Sequence, residues 1–190
     1  MNPERIGSYV RRLNFNSALG NVEFEFQGDW LKLDKFIQYM GGKKRSQSIK
    51  RDLAKAQRDW FQRFKIKLVN GLLSEGSSIG APFEEHSPNY TDGGPSIGIR
   101  KGIYLDALRN LRIIQKNYII SLSYYPGDLH RRSRSKGLPL AGYAMAFEHG
   151  KFDQPPRPLW APTFERMGGG QNMVKVMRGA IALRLSNMGI

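Results

Sequence analysis

A chain of 190 residues with 40% hydrophobic and 11% aromatic content is long enough for a real core and too apolar for a disordered polymer. It has no cysteine, which excludes disulfides and any thiolate site and fits a reducing cytoplasm. Its 30 Lys and Arg outnumber 16 Asp and Glu, a formal charge of +14. Such an excess favours a polyanion partner, with solubility or an acidic protein partner as its other uses.

Residues 1–20 are polar and read as a flexible or docking arm. The alternation in VEFEF predicts a strand over 22–26 with Val22, Phe24 and Phe26 on one face. Asp29 caps a short helix carrying Leu33, Phe36, Ile37 and Met40, and Gly41-Gly42 ends it. From Ser46 to about Ser74, Ile49, Leu53, Ala56, Trp60, Phe64, Leu68 and Leu72 recur at spacings of three or four. That stripe predicts a long amphipathic helix, with Lys50, Arg51, Lys55, Arg58 and Lys65 largely off it. Residues 75–102, rich in Ser, Pro and Gly, read as a long loop. GIYLDALRN follows as a short helix. LRIIQKNYIISLSYY, 111–125, predicts a β-hairpin turning at 115–118. After the basic tip HRRSRSKG comes LAGYAMAFEHG, a short helix closed by Gly150. A final helix starts near Ala161, is interrupted at Met167–Gly170, and resumes on Val174, Met177, Ile181 and Leu185. Leu53, Trp60, Phe64 and Leu68 are expected to pack on Ile113, Ile119 and Leu122 of the hairpin.

The passage QPPRPLW, 154–160, stands apart. Proline fixes φ and removes a backbone donor, and it holds the preceding residue extended. Pro155, Pro156 and Pro158 therefore make a stiff strut around Arg157, with Trp160 at its end. Such a strut is either a docking element or an ordinary connector before a helix. Charge is uneven along the chain. Residues 43–67 hold ten Lys or Arg against Asp52 and Asp59, while 76–98 hold Glu84, Glu85 and Asp92 with no Lys or Arg. A basic and an acidic surface suit head-to-tail contact between identical copies.

Signals of chemistry are few. His86, His130 and His149 stand in no metal-ligand spacing, the acids are dispersed, and no nucleophile elbow or phosphate loop occurs. No metal, cofactor or catalytic residue is expected, and a nuclease would need clustered carboxylates. The tip residues Arg131, Arg132, Arg134 and Lys136 lack interleaved aromatics, so they suit phosphate contact or a solvated loop rather than base stacking. No apolar run approaches the roughly 20 residues of a membrane span.

Three passages in order, PFEEHSPNYTDGG, GIYLDALRNL and GYAMAFEHGKFDQPPRPLWAPTFER, resemble the virion-morphogenesis or tail-completion family of tailed bacteriophages. Ser87, Pro88 and Tyr90 carry the first likeness, and Gly102, Tyr104 and Ala107 the second. Tyr143, Ala144, Glu148, Gly150, Pro155, Arg157 and Pro158 carry the third and most specific. The resemblance covers about 46–188. It implies an α+β fold, a long helix packed on a small antiparallel sheet, in one domain over 21–190 with a C-terminal helix. It also implies a non-enzymatic virion protein, assembled in the host cytoplasm, that forms a ring of about six or twelve copies at the head–tail junction. Portal or adaptor proteins and tail-terminator or tail-tube proteins would adjoin it, and packaged DNA would pass through, touched without sequence preference. A tail-terminator ring and a monomeric, non-specific nucleic-acid-binding protein are the alternatives. In the ring, Pro155 to Trp160 would lie at a subunit boundary with Trp160 as the buried anchor. Arg157 would reach Glu84 and Glu85 of the next copy, or Glu148 of its own. The basic tip, or the back of the long helix, would face the channel.

Overall fold

A computed structural model describes residues 10–16, 21–26, 30–85, 102–116, 119–132, 139–150 and 155–187. The fold is α+β. Strands β1 (Val10–Asn16), β2 (Asn21–Phe26), β3 (Arg112–Lys116) and β4 (Ile119–Ser123) form one antiparallel sheet in the order β1-β2-β4-β3. The helices are α1 (Trp30–Leu73), α2 (Ile103–Arg109), α3 (Pro126–Leu129), α4 (Leu140–His149), α5 (Trp160–Arg166) and α6 (Gly169–Ser186).

The β3–β4 hairpin forms, but Gln115 and Lys116, expected in its turn, are strand residues paired with Ile120 and Ile119; Ile113 is registered on Leu122. VEFEF lies within β2, whose Val22 is registered on Leu122 and Phe24 on Ile120. The N-terminal stretch differs from the expected irregular arm, because residues 10–16 pair with β2 as an edge strand. A register shift between Val10 and Leu13 breaks the two-residue period, so VRRLNFN shows no clean alternation.

The expected break at Gly41-Gly42 is a kink within α1. Gly42 has φ 69° and ψ 174°, a left-handed φ that glycine adopts without a Cβ penalty. Beyond it the apolar stripe runs as read, with Ile49, Trp60, Phe64, Leu68 and Leu72 nearly inaccessible. α1 closes in a Schellman-type turn, Gly76 N–H donating to the Gly71 carbonyl at 2.8 Å and Glu75 N–H to Leu72 at 3.1 Å.

The partners of that stripe differ in part from those expected. Leu122 joins the core, with Ile113 and Leu53 partly buried against it, while the Ile119 side chain lies outside the described set. The aromatic partners, however, come from α5: Phe64 meets Trp160 at 5.9 Å and Phe164 at 6.3 Å. α6 lies antiparallel along α1. Trp60 Nε1 donates to Asn172 Oδ1 at 3.1 Å, Gln57 Nε2 approaches Met177 Sδ at 3.8 Å, and Arg184 reaches Asp52 at 3.4 Å and Ser48. Met177 of the expected α6 stripe is buried, joined by Met173, while Val174, Ile181 and Leu185 are half-buried.

Candidate functional site

The Pro-rich passage and the elements that hold it are the most elaborated polar feature among the described residues. Its foundation is α4. Leu140, Ala144, Phe147 and Glu148 fall at i, i+4, i+7 and i+8, one face of a helix, and all four are buried. Phe147 meets Phe83 edge-on at 5.2 Å and Tyr104 at 5.3 Å, and Tyr104 also meets Tyr143 at 5.8 Å. α4 thus clamps α2 on one side and the start of the 75–102 loop on the other.

The strut lies against the end of this helix. Arg157 N–H donates to the Phe147 carbonyl at 2.8 Å. The Arg157 side chain is 3% exposed; Nε donates to the Glu84 carbonyl at 2.9 Å and Nη2 to the Glu85 carbonyl at 3.1 Å. The strut then turns into α5, which has no side-chain cap of its own. Glu148 supplies one from α4, its carboxylate accepting the Leu159 N–H at 2.9 and 3.1 Å. A carboxylate at a helix N-terminus is favoured by the exposed amides and the helix dipole. Burial works against it more strongly and raises the Glu148 carboxyl to about 7, even though the Leu159 and Trp160 amides favour the anion. Thr163 Oγ1 closes the turn by donating to the Leu159 carbonyl at 2.6 Å.

Trp160 is 1% exposed, wedged between Phe64 and Tyr124, each 5.9 Å away. The Tyr104 and Tyr124 hydroxyls are buried in the same region, close to one another and to the Trp160 indole. Burial pushes both phenols up. Two phenol hydroxyls and a carboxyl are thus buried together inside an aromatic wall.

Two expectations change here. Trp160 is an anchor for its own core, not for a neighbouring copy, because the chain by itself already buries it against Phe64 of α1 and Tyr124 just after β4. Arg157 binds backbone carbonyls of its own chain, and the exposed Glu84 and Glu85 carboxylates are not used in those two bonds. A buried guanidinium finds fixed, rigid acceptors in peptide carbonyls, whereas surface carboxylates would have to be drawn in and desolvated. Pro155 is half-buried, and Pro156 and Pro158 are exposed. Arg157→Ala should therefore lower the melting temperature of the isolated chain, costing about 2 kcal/mol for two charge-assisted bonds. Unchanged melting would return the strut to an interface role.

The basic tip is only half described. Arg131 Nη1 pairs with Asp128 at 3.1 Å and Nη2 with Asp106 at 3.8 Å; Arg132 is exposed and bridges Pro139. Arg134 and Lys136 lie outside the described residues, as do Ser87, Pro88 and Tyr90. Among the described residues no group of three His, Asp or Glu could hold a metal ion, and no helix is long and apolar enough to cross a membrane. Sequence reasoning missed the capping role of Glu148. The signal was present, a carboxylate on the apolar stripe of α4, where a charge needs a partner. No family model matches the chain, and no curated protein or solved structure is significantly similar to it.

Proposed function

We propose that this chain is a structural, non-enzymatic virion protein of a tailed bacteriophage. It would form a homo-oligomeric ring at the head–tail junction, joining tail to head around the DNA channel. The observation that supports the reading best is where the resembling passages lie. The start of the first (Phe83 to Glu85), the second (α2) and the third (α4, strut and α5) meet at one brace, through Phe83–Phe147, Tyr104–Phe147 and Arg157 on the Glu84 and Glu85 carbonyls. Residues that share one structural task explain one likeness spread over three separate passages. The net charge of +14 suits a subunit that lines a DNA path.

The brace also fits a mechanical role. It ties three separate chain segments by buried polar bonds, so the exposed Pro156 and Pro158 and the exposed carboxylates of Glu84 and Glu85 are held rigidly at the surface. A rigid edge docks with little ordering cost. Neighbours would be portal or adaptor proteins on one side and tail-terminator or tail-tube proteins on the other.

Native mass measurement followed by imaging tests this. The expected result is a closed ring whose mass is a multiple of 21.6 kDa, with the protein present in purified particles. A monomer at every concentration, absent from particles yet binding DNA, would overturn it in favour of a free nucleic-acid-binding protein. The exposed Arg51, Lys55 and Arg58 of α1 favour that second reading.

A further inference from the structure

We infer that the face of α1 bearing Arg51, Lys55 and Arg58 is the surface that contacts the phosphate backbone of double-stranded DNA. As a role in a channel this rests on the ring reading; as a binding surface it does not. At 100° per residue these three side chains fall within about 60° of arc, on successive turns. All three are exposed, as is Gln62 on the same line. Among the described residues none of the three is drawn into an ion pair, while several other cations are occupied. Arg131 is held by Asp128 and Asp106, Arg184 by Asp52, Arg112 lies 4.1 Å over the Tyr125 ring, and Lys65 Nζ donates to the Leu111 carbonyl at 3.1 Å. Of the two acids on this stretch of α1, Asp52 is turned toward α6, and the exposed Asp59 stands at the edge of the face, about 40° round from Lys55.

The chemistry of the face selects the partner. Seven residues of helix rise about 10 Å, and one DNA strand presents about three phosphates along that length of axis. Three cations over that length offer about one for each phosphate, within the reach of their long side chains. No large apolar side chain lies exposed between them: Leu53, Ala54 and Ala56 are half-buried and Trp60 is covered. A protein partner would want an aromatic or aliphatic anchor there, and base reading would want stacking groups. A wet row of charges suits phosphate contact without sequence preference, which lets a duplex slide.

The test is the salt dependence of binding to a random-sequence duplex of about 30 base pairs, followed by fluorescence anisotropy on the full chain. Each lost phosphate contact removes about 0.9 from the slope of log K against log salt, so Arg51→Gln, Lys55→Gln and Arg58→Gln combined should reduce it by about 2.7. Melting should be unchanged, and Arg132→Gln alone should leave the slope as in wild type. An unchanged slope in the triple variant, no duplex binding by wild type, or equal binding to poly-glutamate would each overturn the inference. The slope is read on whichever species the mass measurement finds. A monomer that loses about 2.7 units of slope keeps this surface and ends the ring reading; a ring with an unchanged slope does the reverse.

Discussion

Phe64→Ala should cost about 3–5 kcal/mol in urea unfolding. Phe64 is 0% exposed at the centre of an aromatic group drawn from two elements. It stacks on Trp60 at 5.6 Å and meets Trp160 at 5.9 Å and Phe164 at 6.3 Å. Truncation removes the transfer free energy of the ring and leaves a void that rigid indole neighbours cannot fill. The same site carries α5 onto α1, so the strut loosens with it. A loss below about 1 kcal/mol would mean that this face collapses freely or meets solvent, and the core would need redrawing.

Stability should fall as pH rises from 5 to 8, and Glu148→Gln should remove that fall. The folded-state carboxyl titrates near 7, against an ordinary value of 4.5. The folded chain therefore holds a proton that the unfolded chain has released across that window. Stability from this group is full below 4.5 and is lost as pH rises through 7. The difference of about 2.5 units corresponds to about 3 kcal/mol. Glutamine keeps an acceptor for the Leu159 N–H and carries no charge. The variant should match wild type near pH 4 and exceed it by up to about 3 kcal/mol at pH 8. Parallel pH profiles for the two proteins would show that the Glu148 carboxylate is solvated or already ionised in the fold.

The contrast between what was legible in the chain and what was not follows the range of the interactions involved. The long helix, its break at Gly42, the hairpin, the helix closed by Gly150 and the interruption before α6 are all local features. Each rests on periodicity or on a glycine, quantities that neighbouring residues carry by themselves. The burial of Trp60, Phe64 and Leu68 follows from the stripe for the same reason. β1 was not legible, because a bulge removes the alternation that marks a strand.

Partner choice was decided by tertiary structure alone. The stripe on α1 says that one face is buried, and only packing shows that α5 and α6 share that burial with the hairpin. The rigidity of Pro155-Pro156-Arg157-Pro158 follows from ring closure on the backbone. Where that stiff piece rests depends on groups far away in the chain. Arg157 seeks any rigid acceptor, and the carbonyls of Glu84 and Glu85 lie over seventy residues earlier. Glu148 is ambiguous in the same way, an outlying acid in the sequence and a helix cap once α5 is folded against it. Hydrophobic periodicity is a property of a segment, whereas the satisfaction of a buried polar group depends on which distant donor or acceptor the fold delivers.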